Sequence, residues 1–232
     1  MGKRGPKPKG KTSIFWSSKL AYAIGLLTAD GCLSKDGRHI DFTSKDKEQV
    51  LTFKECLGLD TKVSSKFSGA GNLAYHTQFG DVLFYRFLES IGLTSAKSKT
   101  LSSLFIPDAY FLDFLRGYFD GDGCSYSSYD SVFKNSFRFY ISFASASPKF
   151  ISWLRKKIEN RIGINGSVGY SRNAHYLQLK YAKKEAAVLS EKMYRNTKVP
   201  CLERKRLKIM RSMSIIERSP GGEIGRRATF RS

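Results

Sequence analysis

Residues 21–34, AYAIGLLTADGCLS, and residues 113–126, DFLRGYFDGDGCSY, carry the same pattern at two places in the chain. Each is an apolar run with the character of a helix, and each contains the tripeptide Asp-Gly-Cys. A second similarity follows in the same order, because LGLDTKV at residues 57–63 and IGINGSV at residues 162–168 both place a valine five positions after a glycine. The sequence therefore predicts one structural unit that occurs twice.

The second copy is longer than the first. Asp30 and Gly58 are 28 positions apart, whereas Asp122 and Gly163 are 41 positions apart, so the second copy carries about 13 extra residues. We predict that the polar stretch Ser125–Ser136 contains them.

Each copy reads as a helix, two strands, a helix, two strands and a helix. This order predicts a mixed α/β (α+β) fold, a pseudo-two-fold tandem repeat of αββαββα units. The predicted segments are a basic, flexible N-terminal arm (1–16), the first repeat (17–93), a linker (94–107), the second repeat (108–216) and a tail (217–232).

Alternation of apolar and polar residues predicts the strands and gives each of them two different faces. In the segment His39–Thr43, the apolar side chains of Ile40 and Phe42 share one face and polar side chains occupy the other. The segment Arg138–Phe143 alternates in the same way. We therefore expect one face of each sheet to pack on helices and the other to be basic and polar.

The charge of the chain points to a polyanionic partner. Lys and Arg number 40 against 20 Asp and Glu, a formal net charge of +20. Residues 1–12 contribute +5 and residues 217–232 contribute +2, so +13 remains in the body of the chain. A charge of this size destabilises a compact protein and is usually matched to nucleic acid.

A membrane is not expected as the partner. The sequence has no apolar run long enough to span a bilayer and no signal-peptide pattern, which predicts a soluble, intracellular protein whose compartment is not resolved. The cysteines form no CxxC pair and have no histidines at zinc-ligand spacing, so we expect small structural residues rather than a zinc site at Cys32, Cys56, Cys124 and Cys201.

Each motif helix carries two small residues four positions apart, Gly25 and Ala29 in the first and Gly117 and Gly121 in the second. Small residues at this spacing lie on one face of a helix and allow two helix backbones to approach closely. If the two helices pack there, their C-terminal ends meet.

Asp30 and Asp122 would then lie side by side. A carboxylate at this position is favoured neither by the helix dipole nor by a neighbouring like charge, and a divalent cation resolves both conflicts. Oxygen ligands with open positions for water and phosphate are typical of Mg²⁺. An Asp-Gly after a single helix is more often a simple turn, but two equivalent copies in so basic a protein favour a metal site.

Residues 23–31 (AIGLLTADG) and 115–123 (LRGYFDGDG) resemble the two motifs of a single-chain LAGLIDADG homing endonuclease. GLTSAKS at residues 92–98 and PCLERKR at residues 200–206 are similar to the lysine-bearing stretches that follow each repeat in this family. One departure is Thr28, at a position where the second motif has the more typical Asp120. Because this position is not the family's metal ligand, we expect the change to affect helix packing.

This resemblance implies two antiparallel four-stranded sheets that form a DNA-binding saddle, and a monomer that cuts both strands of a long, non-palindromic target, as in intron homing. It implies Mg²⁺ as the cofactor, with Mn²⁺ or Ca²⁺ able to occupy the same site. The implied metal ligands are Asp30 and Asp122 with the backbone carbonyls of Ala29 and Gly121. Lys97 and Lys205 are the implied catalytic lysines, with Lys99 and Arg204 as the nearest competitors.

Polar residues on or beside the predicted strands are the candidates for contact with double-stranded DNA. They are Lys35, Arg38, His39, Asp41, Thr43, Lys62, Ser64, Lys66, His76, Gln78, Arg138, Tyr140, Ser142, Arg172, Tyr176, Gln178 and Lys180.

Two other functions fit the same fold. One is a DNA-binding regulator that has lost cleavage, and the other is a maturase that binds intron RNA. Both aspartates and both lysines favour the nuclease over the regulator, because a protein that only binds DNA gains nothing from two carboxylates facing an anionic duplex. Nothing in the sequence excludes the maturase.

Overall fold

The computed structural model describes residues 10–67, 71–133, 136–171, 175–195 and 198–218, and the chain divides into two compact units. The first unit is Met1–Asp122 with Lys198–Cys201, and the second is Gly123–Thr197 with Leu202–Ser232. Most of the predicted N-terminal arm and of the predicted tail lies outside the described residues, as does Arg172.

The first unit contains five helices and four strands among its described residues. In chain order they are α1 (Ser18–Asp30), β1 (Gly31–Leu33), β2 (His39–Ser44), α2 (Lys47–Leu57), β3 (Ser64–Phe67), β4 (Leu73–Gly80), α3 (Val82–Ser90), α4 (Lys97–Thr100), a 3₁₀ turn (Asp108–Tyr110) and α5 (Phe111–Asp122).

The second unit repeats most of this order over its described part. Its elements are β5 (Cys124–Tyr129), β6 (Phe137–Ser145), α6 (Pro148–Ile162), β7 (Ser167–Ser171), β8 (Tyr176–Ala182), α7 (Lys183–Tyr194) and α8 (Glu203–Arg218).

Both sheets are antiparallel, four-stranded and connected in the same way. The strand order is β1-β2-β4-β3 in the first unit and β5-β6-β8-β7 in the second. Corresponding strands of the two copies therefore occupy corresponding places, which confirms the predicted fold class of two antiparallel four-stranded sheets with helices.

Local sequence signals explain where several helices begin and end. Ser17 caps α1, because its hydroxyl accepts a hydrogen bond from the Leu20 amide at 3.1 Å. Gly58 and Gly163 end α2 and α6 in the left-handed conformation, at φ of 64° and 76°. Glycine adopts this conformation without steric cost, which explains why both repeats have a glycine at this position.

The extra length of the second copy is divided between two places. Cys124 pairs with Ser142 across the β5–β6 hairpin, 18 positions away, whereas Cys32 pairs with Asp41, nine positions away. The remaining difference is in the helices, because α6 has 15 residues and α2 has 11. The prediction that Ser125–Ser136 holds all of the extra residues is therefore wrong in part, because about one helical turn of them lies in α6.

Each sheet buries one face, as the alternation predicts. Ile40 and Phe42 of β2 are fully buried, and the ring of Phe42 lies 4.5 Å from that of Phe53 on α2. In the second unit, Phe139 and Phe143 of β6 are likewise fully buried. The core of each unit thus lies between its sheet and its helices, which leaves the other face of the sheet open.

No helix in the described part of the chain is long and apolar enough to cross a membrane.

Candidate metal centre and nucleic-acid interface

Helices α1 and α5 pack with almost no space between their backbones. A Cβ atom added at Gly25 would lie 2.2 Å from the carbonyl oxygen of Phe114, and one added at Gly117 would lie 2.1 Å from that of Tyr22. Real Cβ atoms do not approach other atoms so closely, so only glycine fits at these two positions. The prediction that the small residues allow the two motif helices to approach is confirmed.

The same close approach continues to the C-terminal ends of both helices. A Cβ at Gly121 would lie 2.3 Å from Cβ of Ala29 and 3.0 Å from Oδ2 of Asp30. Asp30 is the last residue of α1, Asp122 is the last residue of α5, and both are exposed. The end of α5 therefore lies directly beside the Asp30 carboxylate.

Lys97, the first residue of α4, lies near these two carboxylates. Its ammonium donates a hydrogen bond to the carbonyl oxygen of Gly31, the residue that follows Asp30. Burial lowers the pKa of Lys97 below its ordinary value, while the negative charges of Asp122 and Asp30 act in the opposite direction. Lys97 is thus a half-buried cation in the field of both aspartates.

Lys205 makes the corresponding contact in the second unit. Its ammonium donates to the carbonyl oxygen of Gly123 at 2.7 Å, and Gly123 follows Asp122 as Gly31 follows Asp30. The competing Lys99 and Arg204 are exposed.

Helix α8 holds Lys205 through a series of contacts with β5. Lys208 donates to the carbonyl oxygen of Ser125 at 2.5 Å, and the hydroxyls of Ser212 and Ser127 are 3.1 Å apart. Residues 205, 208 and 212 lie about one turn apart on a helix. They meet residues 123, 125 and 127, which alternate along the strand, so α8 runs alongside β5.

Arg116 ties α5 to the segment that precedes α8. Its side chain is 3% exposed, its Nε donates to the carbonyl oxygen of Pro200 at 2.8 Å, and its guanidinium pairs with Asp113. A buried guanidinium needs such partners, because an unpaired buried charge is strongly destabilising. Sequence reasoning did not single out this residue.

Thr28 and Asp120, which occupy equivalent positions of the two motifs, make different hydrogen bonds. Asp120 is 1% exposed and accepts a hydrogen bond from the hydroxyl of Tyr22 on α1 at 2.8 Å. The position in α5 that corresponds to Tyr22 is Phe114, which has no hydroxyl, and Thr28 bonds instead to the carbonyl oxygen of Ile24 in its own helix. The prediction that this position serves helix packing agrees with that geometry.

The donor set fits a hard divalent cation bound partly by its substrate. The described residues contain no group of three or more His, Cys, Asp and Glu side chains placed to hold a metal. Mg²⁺ commonly takes only one or two carboxylates and completes its shell with water and phosphate. Asp30 and Asp122, both exposed beside the joined helix ends, supply that number.

The open face of the first sheet collects most of the candidate DNA contacts of the first repeat. Strand pairing places Thr43 opposite His76, His76 opposite Ser64, and Asp41 opposite Gln78. His39 and Lys66 lie on the same face by alternation, whereas Lys35, Arg38 and Lys62 lie in the connections beside the strands.

Asp41 is a negative centre on this otherwise basic face. Its carboxylate accepts from the Thr43 hydroxyl at 2.8 Å and lies 3.1 Å from Nδ1 of His76. The ammonium of Lys66 is 3.9 Å away. These contacts fix the directions of a hydroxyl, an imidazole and an ammonium at once.

The open face of the second sheet is richer in aromatic side chains. Arg138, Tyr140 and Ser142 lie on one face of β6, and Tyr176, Gln178 and Lys180 share it from β8. Ser142 is 8% exposed and accepts a hydrogen bond from Gln178 Nε2 at 3.1 Å, so this predicted DNA contact is largely buried.

Two residues of these faces were missed by sequence reasoning. Tyr126 is 57% exposed, pairs with Tyr140 and stacks on it, and the alternation of CSYSSY in β5 is the signal that could have found it. Asp36 accepts from the amides of Arg38 and His39, and contact with His39 lowers its pKa to about 2. Its place in a turn gave no such signal.

Comparisons with known proteins agree with this architecture. The model of a LAGLIDADG-like domain matches residues 110–194. Among solved structures, the homing endonuclease I-WcaI bound to its DNA recognition sequence superposes with a TM-score of 0.61 at 12% identity, covering 89% of this chain and 95% of that one. The I-LtrWI LAGLIDADG homing endonuclease bound to target DNA gives 0.59 at 11% identity, covering 86% and 91%.

This is the LAGLIDADG fold.

The LAGLIDADG fold also relates this chain to a protein of a different name. Full-length DUF199/WhiA from Thermatoga maritima superposes with a TM-score of 0.54 at 18% identity. The match covers 86% of this chain but only 61% of WhiA, so the chain spans less than two thirds of that protein. A search of curated proteins finds no match to the sequence.

Proposed function

We propose that this LAGLIDADG protein is a site-specific endonuclease that hydrolyses both strands of a long, non-palindromic DNA target with the help of Mg²⁺. The observation that carries the proposal is the close contact between the C-terminal ends of α1 and α5. There, Gly121 lies beside the Asp30 carboxylate, and Lys97 lies in the field of both Asp30 and Asp122.

Asp30 and Asp122 are the proposed metal ligands, and the carbonyl oxygens of Ala29 and Gly121 are the proposed helpers. A divalent cation bound there would polarise the scissile phosphate and lower the pKa of an attacking water. The carboxylates repel the DNA phosphates unless a cation lies between them. A bound cation therefore accounts for acidic residues on a surface that would bind DNA.

The two lysines would stabilise the charge that develops on the phosphate. Each ammonium is held by the carbonyl of the glycine after a motif aspartate, Gly31 for Lys97 and Gly123 for Lys205. A donor fixed before the reaction begins stabilises developing charge more effectively than a mobile one, because no reorganisation is needed.

The protein would act as a monomer, and the open faces of its two sheets would recognise the target sequence. Both carry polar side chains at alternate positions of antiparallel strands, a form that suits the major groove. The two faces differ in composition, with histidines and Asp41 on the first and tyrosines and Lys180 on the second. Different faces read different half-sites, which favours a target without two-fold symmetry.

A second candidate is a DNA-binding protein that does not cleave. It is favoured by the likeness to DUF199/WhiA, at 18% identity against 11% and 12% for the two endonucleases. Identities this low show only a shared fold. Both aspartates and both lysines of the proposed centre favour cleavage.

Cleavage of a library of plasmids with random inserts in the presence of Mg²⁺ tests the proposal. We expect the wild type to linearise a subset of plasmids that shares one sequence. Asp30→Asn and Asp122→Asn should each abolish double-strand cleavage and weaken binding of Mn²⁺, measured by calorimetry in the presence of the target duplex. The matched control is Asp60→Asn, which makes the same charge change at an exposed residue outside the helices and strands.

Three outcomes separate the alternatives. Tight binding to one DNA sequence without cleavage would establish the regulator. Loss of cleavage in Asp60→Asn equal to that in Asp30→Asn would show that overall charge, and not a metal centre, is responsible. Nicking of one strand by a single variant would show that each aspartate serves mainly one strand.

A further inference from the structure

The ring of Tyr140 and the ammonium of Lys180 are in contact on the open face of the second sheet. The Nζ atom lies 3.9 Å from the ring centroid. Tyr140 belongs to β6 and Lys180 to β8, the two central strands of the sheet. Lys180 pairs directly with Ser142, so Tyr140 is its diagonal neighbour, which a long side chain can reach.

The neighbours of Tyr140 support its ring and leave room for the ammonium. Tyr126 stacks on one side of the ring, with a centroid separation of 6.4 Å and an interplanar angle of 19°. Ala182 pairs with Tyr140 from the other side, and its side chain is too small to occupy the space that Lys180 fills. The ring therefore has a supported position from which it can hold the lysine.

This contact changes what Lys180 can recognise. A free lysine is a point charge on a flexible stem, suited to contact with any phosphate. A cation–π contact at a partly exposed site favours one direction of the side chain by about two- to fivefold. An ammonium with a favoured direction, on a central strand, can distinguish among base edges.

We propose that Tyr140 and Lys180 form one specificity-determining pair, in which the tyrosine ring directs the ammonium to the major-groove edge of a guanine. This edge presents two acceptors, O6 and N7, which suit a lysine donor. The proposal rests on the proposed DNA recognition. Strands β6 and β8 each have a neighbouring strand on both sides, so Tyr140 and Lys180 lie away from the edges of the sheet.

The first repeat has different residues at the equivalent places. Cys32 pairs with Asp41 and Asp41 with Gln78, just as Cys124 pairs with Ser142 and Ser142 with Lys180. Gln78 is thus the counterpart of Lys180. Glutamine typically pairs with adenine, so the two half-sites should differ at matched positions.

The test is a binding experiment with the full chain and no divalent metal. Wild type and variants are incubated with a DNA library built on the selected target, with each base pair randomised, and the bound fraction is sequenced. Lys180→Met should lose the preference for guanine at one base pair by about tenfold or more, the discrimination that a direct contact with a base supplies. Tyr140→Leu should reduce the preference at the same base pair by about two- to fivefold, the share that the cation–π contact supplies. Tyr140→Phe keeps a ring and should keep the preference.

Lys149→Met is the matched control, because Lys149 is exposed on α6, away from the open face. It removes the same charge and should leave the base preference unchanged. Uniform weakening of all sequences by Lys180→Met would overturn the proposal and assign Lys180 to a phosphate. Equal losses in Tyr140→Phe and Tyr140→Leu would also overturn it, because the hydroxyl would then be the determinant.

Failure of the proposed DNA recognition looks different. In that case the wild type itself enriches no sequence, whereas failure of the pair alone leaves a wild-type preference that none of the Tyr140 and Lys180 variants alters.

Discussion

Lys97 combines two opposing influences in one side chain. Burial lowers its pKa, and the carboxylates of Asp122 and Asp30 partly restore it. A lysine with a lowered pKa loses its charge at a lower pH than an ordinary lysine does, so any function of the charged form must decline earlier on the alkaline side.

This predicts the pH dependence of cleavage. The rate of the wild type should fall on the alkaline side before the ordinary lysine pKa of about 10.4 is reached, because burial lowers the pKa of Lys97. Lys97→Arg, which stays charged over this range, should retain its rate relative to its own maximum. Lys97→Met should be about 10²-fold slower than the wild type where Lys97 is charged, and this difference should shrink as the pH rises.

Single-turnover cleavage of a short target duplex measures these rates. Lys99→Met is the control, because Lys99 is exposed two residues away on the same short helix. A wild-type profile that matches that of Lys97→Arg would show that the charge of Lys97 does not limit the reaction.

Individual residues were predictable where the repeat supplied a second copy. The resemblance implies catalytic roles for Lys97 and Lys205, which remain a prediction, and the repeat makes their bonds to Gly31 and Gly123 equivalent. The partners of Arg116 were not predictable, because the carbonyl of Pro200 is 84 positions away and no pattern in the sequence marks it.

The contact between α1 and α5 decides whether both aspartates share one place. Because Gly25 and Gly117 each face a backbone carbonyl of the other helix, an added methyl group cannot be absorbed by a side-chain rotation. The helices would have to separate, and their ends would separate with them.

We therefore predict that Gly25→Ala and Gly117→Ala each lower the free energy of unfolding by about 3 kcal/mol or more, the upper range for an overpacked core. Urea denaturation followed by circular dichroism measures the change. Gly169→Ala is the matched control in a strand, because nothing lies within 4 Å of its Cβ position. Near-equal stabilities of Gly117→Ala and the wild type would contradict the close approach of these helices.

Elements were easier to predict than their lengths. Alternation of apolar and polar residues identified β2 and β6, and the equivalent glycines of the two repeats, Gly58 and Gly163, marked the ends of α2 and α6. The extra turn of α6 was assigned to the β5–β6 hairpin instead, because a difference in length between two copies carries no information on position until strand pairing is known.

The charge of +20 acts over the whole chain. Proteins that make 6–10 phosphate contacts lose about 10³–10⁵-fold in affinity for DNA between about 50 and 200 mM salt. We expect a loss in this range for the wild type, measured by fluorescence anisotropy. Lys35→Met, in the turn of the first sheet, should reduce the slope of log affinity against log salt by about one.

Lys47→Met provides the comparison, since Lys47 is exposed at the start of α2, which packs on the apolar face of the sheet. Its slope should equal that of the wild type. If both variants reduce the slope equally, the open face has no special share in binding.

The compact units of the structure and the repeats of the sequence divide the chain in different ways. The repeats predict a linker at residues 94–107, and this remains a prediction, because the compact units, which divide after Asp122, group atoms by contact. The reason is the packing of α5 on α1, which groups the second motif helix with the first unit. A repeat describes how a sequence is related to itself, whereas a compact unit describes where atoms meet.

The hydrogen bond between Tyr22 and Asp120 needs one residue from each repeat. A homodimer of the first repeat would place tyrosine against threonine on both sides, and one of the second repeat would bury two aspartates against phenylalanine. Neither arrangement reproduces the hydroxyl–carboxylate bond that joins the present helices. Each half supplies one member of the pair, so a protein built from two copies of either half alone would lack this bond.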